Sequence, residues 1–412
     1  MDSNLPATGT AQLLTLLSPY VPDSFINNLM PRRRDRGRRQ QFSPAQLYRI
    51  HLLSVLTPVH SFNQLVRMLA EQRAWRRFAH LSNRHAIPDV WMLNQFRERA
   101  GVLGLHQINE RLLEPLLPKS AGQGVSVALI DATDLEAACS GHKKKTTGKY
   151  SALRAALGGR TLKCGQSRFF VGYKKHTFRL WLRQYRRGVL LVPLVTWVAP
   201  ANHGEGGFLK PSVIYCQRRW DWYPNIIVAD MGYIEAGAKR QLRETRGIAV
   251  VTRLKENMLL VPPFESCEHA VCGQGQRLQW LGYEEADQLH WFGVTDTNPL
   301  CQWCWESAQC ARQFSHSPGE HETLLGLIPM NTRVSQRLLQ QVRPWIEPAQ
   351  SYEKNPLGLG AVFLNSLRLT WSASLLADAA VLLRARVILE TPGLELPMFE
   401  LTPSQLTLDL EN

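Results

Sequence analysis

The stretch VALIDATD, residues 127–134, decides how this chain folds. It contains the end of an apolar run, residues 125–130, that has the length of a buried strand and stops abruptly at the carboxylate of Asp131. The stretch NIIVADMGY has the same form, since residues 226–229 are apolar and Asp230 comes next. Buried carboxylates are costly unless a partner neutralises them, and a hard divalent cation with oxygen ligands is a common partner. The alternative is that both residues form turns by accepting bonds from nearby backbone N–H groups.

The spacing of apolar residues around these two stretches predicts a mixed sheet with helices on its faces. Period-two patterns predict three strands, a helical pattern follows, and a fourth strand leads to Asp230. This order would bring Asp131 and Asp230 to neighbouring strand ends, which is where open α/β sheets place their functional sites. The predicted strands are 124–131, 168–176, 189–198, 225–230 and 249–255, and the predicted helices are 207–218, 234–246, 333–341 and 348–386.

A third acidic residue lies late in the chain, in the stretch RPWIEPAQSYEK. Glu347 follows Arg343 by four positions and precedes Lys354 by seven, which places Glu347 and Lys354 on one helical face. Because proline is tolerated in a first helical turn and restricts the residue before it, the helix is expected to begin at Pro348. Glu353 is therefore an alternative third carboxylate. Glu347 is preferred, because Glu353 would point in another direction from the same helix.

These motifs resemble those of bacterial insertion-sequence transposases with a ribonuclease H-like DDE catalytic domain. The resemblance covers most of the chain and includes IDATD, ADMGY and the spacing of Arg, Glu and Lys described above. It also includes GYKKH at residues 172–176 and MLNQFRER at residues 92–99. The resemblance implies an α/β fold in which a ribonuclease H-like mixed sheet is flanked by helices and interrupted by an insertion. An N-terminal all-helical domain would precede it.

The chain divides into segments of different composition. The N-terminal segment has three helix start signals, at Ser43, Ser61 and Asp89. A stretch rich in Cys, Trp and Gln separates the second and third acidic residues and is interpreted as an insertion. The expected division is an N-terminal helical DNA-binding domain at 1–120, a catalytic domain in two parts at 121–256 and 319–388, the insertion at 257–318 and an acidic tail at 389–412.

The resemblance implies DNA cleavage and strand transfer at two divalent cations, Mg²⁺ or Mn²⁺. Asp131 would bridge both ions, and Asp230 and Glu347 would each hold one. Hydrolysis would expose a 3′-OH, which would then attack target DNA at the same site. The cationic residues expected to contact DNA are Arg343, Lys354, Lys174, Lys175, Arg97 and Arg99.

The charge balance favours a polyanionic partner. The chain has 412 residues, and its 48 Lys and Arg exceed its 34 Asp and Glu, which gives a formal net charge of +14. Between Glu136 and Glu205 there are many Lys and Arg but no Asp or Glu. Double-stranded DNA is the expected partner, both as the terminal inverted repeats of a mobile element and as its target. Because two ends must be paired, we expect a homodimer or a higher assembly on DNA.

No targeting signal is apparent in the sequence. The first 30 residues lack a basic start followed by an uninterrupted apolar core, so the protein is expected in the cytoplasm, and on the nucleoid when it binds DNA. The apolar residues 357–383 contain Arg368 and Asp378, which favours a core helix over a membrane span.

The eight cysteines are expected to be reduced or metal-bound in a cytosolic chain. Four of them form two pairs with the spacings C-x4-C and C-x2-C, which would suit a structural zinc site within the insertion. These four are Cys267, Cys272, Cys301 and Cys304. The alternative is that they are reduced and pack as small apolar side chains.

Two other functions stay open at the level of sequence. The chain would be a DNA-binding protein derived from a transposase if its carboxylates no longer support cleavage. It would be a ribonuclease H-like nuclease if it cleaves DNA but does not join strands.

Overall fold

The structure is a computed structural model of the chain. It describes residues 10–30, 41–117, 125–161, 166–184, 188–253, 264–266, 269–272, 274, 276–294, 304, 310–320, 322–330, 332–360 and 364–391.

Within the described part of the first 117 residues, six helices form, and three of them start at the predicted caps. The Ser43 hydroxyl accepts a hydrogen bond from the backbone N–H of Gln46, whose side chain accepts one from the N–H of Ser43. Asp89 accepts a bond from the N–H of Met92, and another helix begins directly after Ser61. The helices are α1 (Thr10–Leu17), α2 (Asp23–Leu29), α3 (Pro44–Leu56), α4 (Phe62–Glu71), α5 (Arg73–Phe78) and α6 (Val90–Leu113).

Six of the described strands form the main sheet. They are β1 (Val127–Glu136), β2 (Ala156–Thr161), β3 (Ser167–Gln184), β4 (Gly188–Pro200), β5 (Ile226–Ala229) and β6 (Ala249–Val251). β3 is antiparallel to β1, β2 and β4, whereas β5 pairs in parallel with both β1 and β6. Helix α7 (Leu209–Trp220) precedes β5, and α8 (Ala236–Arg246) connects β5 to β6. The result is a mixed α/β fold, as the periodicity of the sequence predicts.

The register of β1 and β5 brings the first two acidic residues to neighbouring positions. β1 pairs with β5 only as far as Ile130, which lies opposite Ala229. Asp131 and Asp230 are the next residues, so both lie where β5 ends. The prediction that β1 also ends at residue 131 is wrong. β1 continues to Glu136 because its other edge remains paired with β3.

Five described strands form a second sheet, and in the sequence they follow β6 and precede the C-terminal helices. Its order is β11-β10-β9-β8-β7, with antiparallel neighbours throughout. It has its own small apolar cluster, which includes Leu278, Phe292 and Leu325. The strands are β7 (Phe264–Ser266), β8 (His269–Val271), β9 (Arg277–Glu284), β10 (Leu289–Gly293) and β11 (Gln313–His316). The sequence pattern of this region did not predict them.

The C-terminal part of the described chain contains α9 (Arg333–Val342), α10 (Ile346–Lys354) and α11 (Leu367–Glu390). A single helix over 348–386 was predicted, and this is wrong in two respects. The chain leaves the helical path after Lys354, and Gly358 adopts a positive φ of 68° there. In addition, α10 begins before Pro348, which lies within its first turn, where a missing N–H has no cost.

Helix α11 joins the N-terminal helices to the main sheet. It packs against α3, α6 and β4. One apolar cluster accordingly contains Leu52 of α3, Ile130 of β1 and Leu382 of α11. Within the described ranges, none of the helices combines the length and the apolar character that a membrane crossing requires.

Candidate functional site

Asp131 is a largely buried carboxylate on β1. Its Oδ1 accepts a hydrogen bond from the N–H of Ala132 at 2.8 Å, and its Oδ2 accepts one from Nε2 of Gln350 at 2.7 Å. Burial raises the pKa of Asp131 to about 7; the bond from Ala132 opposes this rise, and the charges of Asp230 and Glu205 add to it. The carboxylates of Asp131, Asp230 and Glu205 therefore lie near one another at a poorly solvated site.

Asp230 is the second carboxylate of this place and directly follows β5. Its Oδ1 accepts a bond from a terminal nitrogen of Arg343 at 2.7 Å, and both side chains are about one-third exposed, at 34% and 31%. The backbone carbonyl of Asp230 accepts from the N–H of Tyr233, which closes a single helical turn. Asp230 is thus held by an arginine but remains open to solvent.

One helical face meets both aspartates. Arg343 lies in a single 3-10 turn, Arg343–Trp345, that runs directly into α10, and Glu347, Gln350 and Lys354 follow it in steps of four, three and four positions, which is the spacing of a single helical face. Arg343 contacts Asp230 and Gln350 contacts Asp131, so this face is turned toward the two carboxylates. Glu347 lies between Arg343 and Gln350 along it, in the first turn of α10, and is exposed.

Glu353 belongs to a different face of α10 and points into the core. Its two oxygens accept bonds from Nζ of Lys175 at 2.6 Å and from Arg179 at 2.7 Å. Lys175 also donates to Asp378 of α11 at 2.7 Å, and all four side chains are at most 3% exposed. Glu353 is therefore engaged in a buried ionic cluster, whereas Glu347 shares a face with the groups that contact Asp131 and Asp230.

Lys175 is not available to DNA in this structure, which corrects the prediction for this residue. Its side chain is fully buried at 0% exposure between the two carboxylates of the ionic cluster. The signal in the sequence was ambiguous, because a strand alternates its faces and the two lysines of GYKKH point to opposite sides of the sheet. Lys174, on the other face, donates to Glu205 at 2.7 Å and is 16% exposed.

The other cationic residues predicted to bind DNA lie in varied surroundings. Arg97 is half-buried, lies over the ring of Phe62 and donates to Asn94, whereas Arg99 on α6 is exposed. Lys354 lines a cavity of about 210 Å³ together with Arg168, and the carboxylates of Asp134 and Glu136 line it as well.

Glu205 lies against the turn that follows Asp230. A β-carbon added to Gly232 would be 1.9 Å from Oε2 of Glu205, so the carboxylate fills the space above this glycine. The side chain of Glu205 makes no capping bond to α7 or to the short turn before it. Glu205 instead accepts a bond from Lys174 and adds negative charge near Asp131.

Tyr233 and His176 form a buried hydrogen-bonded pair beside the carboxylates. The Tyr233 hydroxyl lies 2.8 Å from Nδ1 of His176, whose ring stacks on Phe208 with a centroid separation of 4.0 Å. Burial, aided by Lys174, lowers the pKa of His176 to about 3. Burial and the neighbouring carboxylates raise the pKa of Tyr233 well above its usual value. His176 is therefore neutral and Tyr233 protonated near neutral pH, which suits a structural role.

The donor chemistry of this place fits a hard divalent cation, because Asp131 and Asp230 supply carboxylate oxygens with excess negative charge around them. Among the described residues, however, no set of three or more His, Cys, Asp or Glu side chains is gathered closely enough to hold a metal ion. Instead, Arg343 contacts one oxygen of Asp230, and Gln350 contacts one oxygen of Asp131.

The zinc site predicted for the insertion remains a prediction. Cys267 and Cys301 lie outside the described residues. Cys272 and Cys304 are described, and both are free thiols of intermediate exposure.

Comparison with known proteins gives one family match. The model described as "Transposase domain (DUF772)" matches residues 6–99, which shows a transposase domain in this part of the chain and confirms the resemblance to transposases. No curated protein matches the chain. Among solved structures, the chain is similar to one titled "Cryo-EM structure of piggyBac transposase synaptic complex with hairpin DNA (SNHP)". The identity is 10% and the TM-score 0.39, over 95% of this chain and 77% of that chain. A similarity of this size carries no argument for fold or function.

Proposed function

We propose that the chain is a DNA transposase that binds the ends of a mobile element and catalyses metal-dependent strand cleavage and strand transfer. The catalytic carboxylates in this proposal are Asp131, Asp230 and Glu347. The observation that carries it is the helical face of Arg343, Glu347 and Gln350, which contacts both aspartates in a chain whose residues 6–99 match a transposase domain.

The strand order of the main sheet supports a ribonuclease H-like catalytic domain. Three antiparallel strands, β1, β3 and β4, are followed by α7, by β5 in parallel with β1, and then by α8 and β6. The two aspartates lie where β5 ends, beside the central strand β1, and in this proposal Glu347 of α10 is the third acidic residue. In this proposal the second sheet, β7 to β11, is an insertion in the catalytic domain, between Asp230 and Glu347 in the sequence.

Asp131, Asp230 and Glu347 would hold Mg²⁺ or Mn²⁺, as two ions. When bound, the metal would lower the pKa of a water molecule and neutralise charge on the scissile phosphate. The side chains of the protein contribute position and charge. Arg343 holds Asp230 and is partly exposed, so it is placed to meet a phosphate at the same time. The poorly solvated surroundings of Asp131 would strengthen the attraction between this carboxylate and a cation.

Double-stranded DNA is the partner in this proposal, as terminal inverted repeats and as target. The net charge of +14 supports it, since Lys and Arg contacts to phosphates release bound counterions and make the affinity fall with salt. Two of the predicted cationic residues suit a contact with DNA. Arg99 is exposed, and Lys354 lines a cavity. Joining two ends requires two active sites in one assembly, so we propose a homodimer or a higher assembly on DNA.

A cleavage and joining assay tests the proposal. The substrates are DNA duplexes that carry the sequences flanking the gene, and the reaction is followed with Mg²⁺ and with EDTA. Replacing Asp131, Asp230 or Glu347 by Ala should reduce strand cleavage by roughly a thousandfold or more, while gel-shift binding of the same duplexes is retained. The matched control is Glu71→Ala, which removes an exposed carboxylate at the end of α4.

The outcomes separate the alternatives. A wild-type protein that binds the duplexes but does not cut them is a DNA-binding protein derived from a transposase. A wild-type protein that cuts but yields no joined strands from a pre-cut end is a nuclease. Full cleavage by Glu347→Ala would remove this residue from the site and return attention to Glu353.

A further inference from the structure

We propose that Gln350 is a positioning residue: it holds the Asp131 carboxylate and α10 in one arrangement and thereby sets the affinity of the carboxylate site for a divalent cation. This inference rests on the proposed function and names a residue that the motif of Arg343, Glu347 and Lys354 does not contain.

The side chain of Gln350 joins α10 to β1 through two hydrogen bonds. Its Nε2 donates to Oδ2 of Asp131 at 2.7 Å and to the backbone carbonyl of Ala132 at 3.1 Å. β5 pairs with β1 only up to Ile130, so the amide binds β1 just beyond the last residue that β5 pairs with. One primary amide uses both of its N–H groups here, which fixes the orientation of the side chain.

These bonds also fix the carboxylate. The N–H of Ala132 holds Oδ1 and the amide of Gln350 holds Oδ2, so rotation of the Asp131 carboxylate would break one of two bonds. Each carboxylate oxygen keeps a further lone pair, so a cation can bind without displacing either donor. The orientation that a metal ligand requires is therefore set before a metal ion arrives.

Gln350 can act this way because α10 is itself anchored. Arg343 ties the residues just before α10 to Asp230, and Glu353 ties a different face of α10 to Lys175 and Arg179 in the core. Gln350 lies between these anchors and transmits their position to Asp131. The chemistry of the side chain matters as well, since a neutral amide donates a hydrogen bond without cancelling the negative charge of Asp131. A lysine or arginine at this position would cancel it.

The test measures binding of Mn²⁺ to the full-length protein without DNA, through the electron paramagnetic resonance signal of the free ion. Gln350→Met keeps the length of the side chain but removes both donors. It should weaken Mn²⁺ binding by about tenfold or more, which is the usual effect of losing a group that orients a metal ligand. Gln341→Met makes the same change at an exposed position on α9 and should bind Mn²⁺ as the wild type does.

A second variant separates orientation from charge. Gln350→Lys retains a donor but adds a positive charge, and it should weaken Mn²⁺ binding more than Gln350→Met does. Circular dichroism and thermal unfolding check that each variant is folded. If Gln350→Met does not fold, Gln350→Asn takes its place, because the shorter amide cannot keep both bonds.

Two results would overturn the inference. Folded Gln350→Met, or folded Gln350→Asn in its place, that binds Mn²⁺ as tightly as the wild type shows that the amide does not set the affinity. A wild type whose Mn²⁺ binding is unaffected by Asp131→Ala shows that the metal site itself is elsewhere, and this second result contradicts the proposed function as well.

Discussion

At the scale of single residues, Asp131 illustrates the conflict between a reactive site and a stable fold. Its carboxylate is buried beside Asp230 and Glu205, and its pKa is raised to about 7. The ionised form is therefore disfavoured by the folded protein. Such a residue lowers stability, which is expected where charge is gathered for chemistry or for binding a cation.

The first prediction concerns the variant Asp131→Asn in the presence of EDTA. An unfolded Asp has a pKa near 3.8, so the folded protein alone holds the extra proton at intermediate pH. Stability therefore falls as pH rises from about 4 to about 7. Each unit of difference between the folded and the unfolded pKa of Asp131 corresponds to about 1.4 kcal/mol. Asn should therefore raise the free energy of unfolding by a few kcal/mol near pH 8 and by little near pH 4.

Urea unfolding of both proteins at the two pH values measures this difference. Asn still accepts the bond from Ala132 but loses the one from Gln350, because its NH2 group cannot accept a hydrogen bond. This loss is present at both pH values, so the difference between them reports the charge. Equal gains at both pH values would show that ionisation of Asp131 is not the cause.

Some residues of the site could be found in the sequence and others could not. Asp131 and Asp230 were found because an apolar run ends at each of them, and this signal is local. Gln350 and Lys175 were missed or misassigned because their roles depend on contacts across 219 and 178 positions of the chain. The spacing of Gln350 from Glu347, three positions along one helical face, is the signal that could have pointed to it.

At the scale of elements, β3, α10 and α11 are joined by the ionic cluster of Lys175, Arg179, Glu353 and Asp378. Two cations and two carboxylates neutralise one another there, and each is at most 3% exposed. Such a cluster adds little net stability compared with an apolar core, but removal of one member leaves a buried charge without its partner. The cluster thus fixes which face of α10 turns inward.

The second prediction compares two adjacent lysines of β3. Lys175→Met should lower the free energy of unfolding by about 3–5 kcal/mol, because Glu353 and Asp378 keep their charges in the core. Lys174→Met removes a partly exposed ion pair with Glu205 and should lower it by about 1 kcal/mol or less. Denaturant titration of both variants measures the two losses in free energy of unfolding. Similar losses would mean that the buried ionic cluster depends on Lys175 no more than the fold depends on the ion pair of Lys174.

Elements with end signals were predicted well, and those defined by tertiary contacts were not. The starts of α3, α4 and α6 followed from Ser43, Ser61 and Asp89 because caps act within one turn. The strands β7 to β11 are short, and β9 and β11 are mostly exposed or half-buried, so the sequence lacks a long alternation of apolar residues there. The break between α10 and α11 was missed because the apolar pattern continues through it.

At the scale of the whole molecule, the N-terminal helices and the C-terminal segment pack as one body. The ring of His60 lies against the backbone of Gly358, and Asn109 donates to the carbonyl of Leu375 in α11. The shared apolar cluster extends from α1 to α11. The transposase domain and the main sheet are therefore expected to unfold together.

The third prediction tests this contact with Gly358→Ala. The new β-carbon would lie 1.9 Å from the His60 ring, and the residue has a φ of 68°. Gly148→Ala is the control, since Gly148 has a φ of 63° but no atom within 4 Å of the added carbon. We expect a loss of about 1 kcal/mol at Gly148 from backbone strain alone and about 2–4 kcal/mol at Gly358. Thermal unfolding measures both, and equal losses would contradict the role of the contact.

The fourth prediction concerns acid. Burial lowers the pKa of His51 to about 4, and that of His106 likewise, so both are neutral in the folded protein. The unfolded chain takes up these protons first, so their contribution to stability is lost as pH falls from about 6.5 to about 4. His51→Gln should reduce the slope of unfolding free energy against pH by up to about 1.4 kcal/mol per unit in this window. An unchanged slope would show that His51 is protonated in the folded state.

The distance along the chain between Asp131 and Gln350 also has a consequence for synthesis. The two residues are 219 positions apart, and ribosomes add about 5–20 residues per second, so roughly 10–45 seconds separate them. Lys175 and Asp230 are also made within this interval, so Asp131, Lys175 and Asp230 all exist for a time before α10 and α11 are made. A chain that stops before residue 346 would carry the N-terminal helices and both aspartates but would lack α10. On the proposed function, the protein acquires the ability to cut DNA only after α10 has been synthesised and has folded onto β1.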